Sequence, residues 1–475
     1  MGFEAWDWID ENRVGNHLKF EKSSPVQAPA GEVFAWHQQP GAFERLTPPW
    51  SRIEVIERPS RIENGSRVVI RMKVGPVWRR WVAEYCDFEQ GRQFADVQPE
   101  GPFAYWRHLH RFSADGETAS RLKDLIEYEL PLGALGRALA GRHARRELER
   151  EFRYRHAVTV GDLEMLERHR RAGAGPMHVL VSGSSGLIGS QLVHMLSCGG
   201  HRVTRLVRRP PRPGQAEVRL SAESGGFEGG GLEGLDAVVH LAGENVVAGF
   251  WNAGLKQRIR DSRVEGTRRL CEALAGLDPP PRALVCASAL GYYGDRGDEE
   301  LEERSGPGES FLADVCRQWE AATEPAREAG MRVVKLRVGV VLSPAGGALV
   351  KMLTPFWLGL GGRLGHGRQW MSWIALDDAL DVIYHALMDE QLEGPVNAVT
   401  PHPVTNAEFT KTLGRVLRRP TIFPAPAFAL RLAVGELADE LLLTSARVVP
   451  RRLTDRGHSF RYPQLEDALR HVLGR

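Results

Sequence analysis

Residues Met177–Gly189 read MHVLVSGSSGLIG, and the reading of the whole chain turns on this stretch. The apolar run His178-Val179-Leu180-Val181 stops abruptly at Ser182-Gly183-Ser184-Ser185-Gly186-Leu187-Ile188-Gly189. Gln191–Leu196 then continues with apolar residues at helical spacing. The pattern predicts strand, tight turn, helix. Each glycine meets a different physical need, since Gly183 lets the chain turn, Gly186 lets backbone approach a pyrophosphate, and Gly189 lets helix and strand pack closely. A diphosphate would then rest on the exposed N–H groups at the positive end of the helix. Because the chain has 51 glycines, the pattern alone carries little weight. The buried strand before it and the helix after it make it a dinucleotide site.

At 475 residues the chain is long enough for roughly three domains. Its 62 Lys plus Arg against 60 Asp plus Glu leave a net charge of +2, which offers no general attraction to nucleic acid. Cys86, Cys198, Cys271, Cys286 and Cys316 stand far apart without a CxxC pair. That spacing argues against a disulfide framework or a zinc site and fits a reducing cytoplasm, and no metal is expected. The opening MGFEAWDWIDENR is acidic where a signal peptide is basic. The apolar stretch Ala427–Leu443 carries Arg431, Glu436, Asp439 and Glu440, so no membrane span is expected.

Residues before about 166 follow a different rhythm. Val68, Ile70, Met72 and Val74 alternate with charges, which predicts a half-buried strand. Arg79–Phe88, Ala104–Phe112 and Ser120–Leu130 read as further strands of an antiparallel meander, separated by Gly/Pro/Asp turns. From Ala134 to about Leu166 the period becomes helical, with Leu135, Leu139, Leu148 and Phe152 as the apolar stripe and an Arg/Glu-rich opposite face. Strands followed by one long helix resemble the START-like, polyketide-cyclase-like helix-grip fold. That resemblance implies a sheet wrapped around the helix over an apolar cavity and a hydrophobic ligand. Trp36, Phe43, Trp50, Trp78, Trp81, Tyr85, Phe103 and Trp106 would line or fill that cavity.

The polar segment Glu167–Pro176 is the expected linker. Beyond it, strands at His201–Val207, Ala237–Leu241, Ala283–Ala287 and Arg332–Leu336 alternate with helical stretches such as Lys256–Ala275 and Phe311–Ala329. This predicts an α/β, doubly wound parallel sheet with its ligand outside the carboxyl ends of the strands. An acid after the second strand would favour NAD. Arg208-Arg209 stand there instead and suit the 2′-phosphate of NADP(H). His240, Leu241, Ala242 and Gly243 end the next central strand, where small residues suit a dinucleotide lying flat, and Ala287 and Ser288 end the one after it.

Gly183–Gly189, HLAGENV (His240–Val246), SALGYYGD (Ser288–Asp295), LRVGVVLSPAGGAL (Leu336–Leu349), GLGGRLGHGRQWMSWIALDD (Gly359–Asp378), PVNAVTPHPVTNAEF (Pro395–Phe409) and Ser445–Leu469 together resemble the epimerase-like atypical short-chain dehydrogenase/reductase family with its small C-terminal domain. The implied organisation is a START-like domain over 1–166, a linker over 167–176, a Rossmann domain over 177–417 and a small domain over 418–475. In extended reductases a Ser/Thr binds the substrate oxygen, and a Tyr with a Lys four residues on handles the proton. By the resemblance, the Ser/Thr position falls on Ala289, beside Ser288, and the Tyr and Lys positions fall on Leu312 and Cys316. Phe311–Ala329 contains neither Tyr nor Lys. Ser288 and Tyr293 are the substitute catalytic candidates. His366, Gln369, Trp370 and Trp373 stand in a loop that could close over a small-molecule substrate, and Gly346-Gly347 could approach the cofactor. Asp377 and Asp378 read as helix N-caps.

Two functions follow from this reading. One is an NADP(H)-dependent oxidoreductase or epimerase-like enzyme of unassigned substrate. The other is an inactive NADP(H)-sensing binding protein, a regulatory role that the cell-division names of some family members suggest. The oligomeric state is open in both.

Overall fold

In the computed structural model, which describes residues 17–475 apart from 222 and 248, the chain divides into two units. The first takes residues up to 39 together with 46–164, and the second takes 40–45 together with 165–475. The acidic opening segment read above for targeting lies outside the described residues. No helix among those described is long and apolar enough to cross a membrane.

The first unit contains β1 (Leu18–Val26), α1 (Ala30–Gln38), β2 (Ile53–Glu57), β3 (Arg67–Val74), β4 (Val77–Glu89), β5 (Gln93–Glu100), β6 (Tyr105–Ala114), β7 (Ser120–Glu129) and α2 (Gly133–Arg171) as far as residue 164, the last residues of that helix being counted with the second unit. The strands form one antiparallel sheet in the order β1-β7-β6-β5-β4-β3-β2. In β7, Leu122, Ile126 and Tyr128 point inward and alternate with charged residues, the period-two pattern of a sheet covered on one face. Leu148 and Phe152 of α2 pack onto Phe20, Trp106, Ile126 and Tyr128, which is the helix-grip arrangement expected.

Three details differ from expectation. Leu135 and Leu139 are 58% and 77% exposed, so the buried stripe begins further along the helix. Helical periodicity defines a face, and only the extent of the sheet decides how much of that face is covered. Trp78 is 39% exposed and carries the Arg71 guanidinium over its ring, so it lines no cavity. The expected linker is still helix as far as Arg171, because Glu167 pairs with Arg170 and Arg171 and no residue breaks the helix before Gly173, with φ +91°.

In the second unit β8 (His178–Ser182), β9 (Arg202–Leu206), β10 (Glu217–Leu220), β11 (Phe227–Glu228), β12 (Ala237–His240), β13 (Ala283–Ala289), β14 (Arg332–Val338) and β15 (Gly394–Ala398) form a sheet in the order β11-β10-β9-β8-β12-β13-β14-β15. All neighbours are parallel except β10 and β11. Successive residues of one strand serve opposite layers. Val179 and Val181 join Leu192 and Leu196 of α3 (Leu187–Cys198) and Leu380 and Ile383 of the helix Leu376–Met388. Leu180 joins Leu270 and Leu274 of α4 (Ala253–Ala275) and Trp319 of α5 (Phe311–Ala321). The result is a sheet with helices on both faces. The helix expected over Phe311–Ala329 breaks after Ala321 and resumes at Glu324–Glu328, with Pro325 in the first turn of the second piece.

Candidate functional site

The chain order reverses between β8 and β12, whose Cα atoms pair from Ala237↔Val179 to His240↔Ser182. Such a switch point opens a crevice at the strand ends, and the glycine turn lies in it. Gly183 has φ +67°, and a Cβ there would come 2.8 Å from the Leu241 carbonyl carbon and 2.9 Å from the Ala242 nitrogen. Backbone therefore packs directly on backbone. A Cβ on Gly189 would stand 2.2 Å from the Gly183 carbonyl oxygen, so α3 can begin this close to the turn only with glycine.

Gly186 precedes α3 and supplies no side-chain cap, and the first turn holds no acidic residue. The N–H groups at this helix start are thus left for an anion, and Ser185 and Gly186 are exposed. These features fit the diphosphate of a dinucleotide. Ser184, Leu187 and Ile188 are half-buried around the turn. The would-be Cβ atoms of Gly346 and Gly347 lie 3.4 Å from the Leu187 side chain, so this second glycine loop borders the same turn.

The turn is fastened from below. Ser182 Oγ accepts hydrogen bonds from the backbone N–H of Leu241 (3.1 Å) and Ala242 (3.3 Å) and lies 2.6 Å from His240 Nδ1. His240 Nε2 lies 3.0 Å from Thr267 Oγ1, which also accepts from Trp319 Nε1 at 2.9 Å. Burial pushes the His240 pKa down to about 4, so the ring is neutral. The sequence reading places His240 against the cofactor. Here it is 4% exposed and acts beneath the loop, holding β8 to β12. Leu241, Ala242 and Gly243 are half-buried or exposed at the crevice, with the Arg263 guanidinium 3.2 Å from where a Gly243 Cβ would be.

The two arginines after β9 divide. Arg208 is exposed and forms no ion pair among the described residues. Arg209 is engaged with Glu217 through two hydrogen bonds of 2.9 and 2.6 Å and donates to the Pro210 carbonyl. That engagement removes Arg209 as a free clamp and makes it a brace for the loop.

The catalytic candidates sit deeper than the sequence implies. After β13 the chain makes a tight turn, Leu290–Tyr293. Ser288 is 3% exposed and donates to Glu320 Oε1 at 2.8 Å. Arg337 on β14 clasps the same carboxylate, Nε to Oε1 at 2.8 Å and Nη2 to Oε2 at 2.9 Å. Its Nη1 donates to Tyr293 Oη at 2.9 Å, and its guanidinium lies 3.5 Å from the centre of the Tyr292 ring. Tyr293 is fully buried, and its hydroxyl donates to Asn397 Oδ1 at 2.7 Å. Burial pushes this phenol up to about 12, so it stays protonated at neutral pH. Ala287 and Ala289 flank Ser288 and are half-buried.

Leu312 and Cys316, which the resemblance sets at the Tyr and Lys positions, are 7% and 3% exposed and pack against Gly291. Burial pushes the Cys316 thiol up to about 12, which leaves it a poor proton carrier. Arg337 and Asn397 have no role in the sequence reading, and Glu320 serves there only as the family landmark from which the Tyr and Lys positions are counted. An arginine inside the apolar strand RVVKLRV was the available signal, because a buried guanidinium requires a buried partner. Tyr293→Phe is expected to destabilise the protein by about 1–3 kcal/mol, since it leaves Arg337 and Asn397 short of a partner, while nucleotide affinity stays unchanged. Urea unfolding together with a nucleotide titration checks both halves.

The loop candidates also separate. Trp373 is fully buried in a core with Leu353, Phe356 and Phe409, and so cannot pack on a substrate. Gln369 is 2% exposed and donates to the Leu364 and Leu442 carbonyls. His366 is exposed at the loop surface, and Trp370 donates to Asp298 at 2.8 Å. Asp377 and Asp378 are not N-caps. Asp377 contacts His471 Nε2 at 2.7 Å, and Asp378 accepts the backbone N–H groups of Arg461 and Tyr462, which anchors the C-terminal segment.

Three stretches of the chain match known protein families. Residues 179–398 match the NAD dependent epimerase/dehydratase family, 26–152 match polyketide cyclase/dehydrase and lipid transport, and 425–472 match a domain of unknown function. An epimerase family protein of Mycobacterium bovis is 46% identical over 297 residues, which is 62% of this chain and 98% of that protein. Human epimerase family protein SDR39U1, whose crystal structure was determined with NADPH, superposes with a TM-score of 0.58 at 35% identity over 62% of this chain and 99% of that one. The nucleoside-diphosphate sugar epimerase of Corynebacterium glutamicum matches 96% of this chain and 90% of its own, with a TM-score of 0.77 at 36% identity. The glycine turn at the switch point and these matches agree: the chain belongs to the NAD dependent epimerase/dehydratase family, with a polyketide-cyclase-type domain in front.

Proposed function

We propose that the protein is an NADP(H)-dependent oxidoreductase acting on a small, partly apolar molecule. The observation that carries this reading is the Gly183–Gly189 turn, tight against β12 and open at the start of α3. Residues 183–189 hold the diphosphate, Leu241, Ala242 and Gly243 border the adenosine side, and Arg208 receives the 2′-phosphate. The cofactor supplies hydride chemistry when bound. Arg209, pinned by Glu217, positions the loop that carries Arg208. The crystal structure of the human relative with NADPH supports a phosphorylated dinucleotide as the ligand here.

Ser288 and Tyr293 are positioning residues in this proposal. Their hydroxyls fix Glu320 and Arg337, and through them the Leu290–Tyr293 turn that borders the substrate side. With Leu312 and Cys316 in place of the usual pair, the substrate proton comes from water. The N-terminal domain binds an apolar ligand, a reading supported by its resemblance to the polyketide cyclase/dehydrase and lipid transport family and by its cluster of Trp81, Phe103 and Trp106. The free cysteines support a reducing, cytoplasmic setting.

Arg208→Asp tests the preference. It is expected to weaken NADPH at least about tenfold, the value of one charge-assisted contact, while NADH changes little. Equal losses for both nucleotides would remove Arg208 from the site. For the reaction itself, NADPH consumption is followed across a panel of carbonyl compounds. The buried Tyr293 and the apolar 312/316 positions favour a second reading, an NADP(H)-responsive binding protein. That reading expects no turnover with any carbonyl, but a change in apolar-ligand affinity when NADPH is added.

A further inference from the structure

The interior of the N-terminal unit holds a second polar cluster, unconnected with nucleotide chemistry. On β6, His108 and His110 point to the same face, two residues apart. Asp96 on β5 is the register partner of His108, and Asp124 on β7 is the partner of His110. All four lie on the inner face of the sheet, His108, His110 and Asp124 fully buried and Asp96 nearly so.

Asp124 sits behind both imidazoles. Its Oδ1 is 2.8 Å from His108 Nε2 and 2.7 Å from His110 Nδ1, and its Oδ2 is 2.6 Å from His156 Nε2 on α2. The other nitrogen of His108, Nδ1, faces Asp96 Oδ2 at 3.3 Å. Asp96 Oδ1 is held by Trp106 Nε1 at 3.1 Å, which fixes the direction of that carboxylate. One ligand atom each from Asp96, His108 and His110 all lie within 4.8 Å of one another.

Hydrogen bonding accounts for His108, which lies between Asp124 and Asp96, and for His156, which lies between Asp124 and Ser24, but leaves His110 over. Three imidazoles share one carboxylate, and His110 Nδ1 is buried without an aligned hydrogen bond. The His108 and His110 rings approach to 3.9 Å, a distance at which two protonated rings repel. A carboxylate behind each metal-binding imidazole is the usual outer support of a metal site.

We propose that Asp96, His108 and His110 bind one divalent first-row transition ion, with Asp124 as the outer carboxylate that orients both imidazoles. Two nitrogens and one oxygen suit Zn²⁺ or Fe²⁺, and such a set disfavours Mg²⁺ and Ca²⁺. Three protein ligands leave one coordination position to be filled by water or by an oxygen of a bound molecule.

The test uses the full chain, stripped with a chelator and then freed of it. Zn²⁺ titrated calorimetrically is expected to bind at a single equivalent. His110→Ala and Asp96→Asn should each weaken it by at least about 100-fold, and Asp124→Asn by about 10–100-fold. His458→Ala, in the separate imidazole pair with His385 in the other unit, should leave it unchanged. Should a variant fail to fold, electron paramagnetic resonance of the wild-type protein with Cu²⁺ decides, since two imidazole nitrogens are expected on the ion. No Zn²⁺ binding by the wild type, unchanged affinity in folded His110→Ala and Asp96→Asn, or a Cu²⁺ spectrum without two imidazoles would each overturn the proposal.

Discussion

Gly189→Val is expected to weaken NADPH binding by at least about 100-fold, the scale of loss when a binding element is displaced by about 1 Å. A Cβ at this position would stand 2.2 Å from the Gly183 oxygen, 2.9 Å from its carbonyl carbon and 3.1 Å from Ser184 Cα. Every one of those atoms is backbone, so no rotamer relieves the clash. Either α3 backs away from the turn or the turn opens, and both remove the N–H groups from the diphosphate. Overpacking also lowers stability by about 1–3 kcal/mol, so a melting curve accompanies the titration. Gly186→Ala provides the graded control. Its Cβ would meet only the Gly183 oxygen, at 3.2 Å, and a smaller loss of affinity with near-native stability is expected.

Arg337→Met is expected to cost about 3–5 kcal/mol of folding stability, because it strands the Glu320 carboxylate in the interior. The guanidinium and carboxylate side chains are 3% and 10% exposed, so solvent screens the pair little. Although burial opposes it, the Glu320 and Tyr293 partners hold the guanidinium above its ordinary pKa, and the charge persists at any working pH. Removing both charges in Arg337→Met with Glu320→Leu should recover most of the loss, since a well-packed apolar pair dispenses with the desolvation of two ions. Denaturant unfolding of the two single variants and the double variant measures this coupling. The double variant also takes the acceptor from Ser288, a smaller loss than a stranded buried charge, so a penalty in the double variant that still exceeds that of Arg337→Met would contradict the network.

The glycine turn and the alternation of strands and helices were legible because each is local. Val179, Leu180 and Val181 announce a strand buried on both faces, and Gly183 announces a left-handed turn. The long helix of the first unit was legible for the same reason. Its covered length was not, because Leu135 and Leu148 look alike until the sheet is in place.

Side-chain partners across long sequence separations were the blind spot. Arg209 looked like a phosphate clamp until Glu217 closed on it, and Tyr293 looked like a catalytic phenol until Arg337 and Asn397 enclosed it. His240 followed the same course, because Ser182 and Thr267 are its neighbours only through strand pairing. The histidines of β6 went unremarked because their partners Asp96 and Asp124 come from the two adjacent strands. Reading a buried polar residue from sequence fixes that it needs a partner, and topology supplies which one.

In the proposed function, the turn at Gly183–Gly189, with Arg208 downstream, builds a nucleotide site selective for the phosphorylated coenzyme. Isothermal titration of the full chain with NADPH and with NADH tests it most directly. The account predicts saturable binding of NADPH at one site per chain, with NADH weaker by about tenfold or more. Absence of binding by either nucleotide, or tighter binding of NADH, would contradict it.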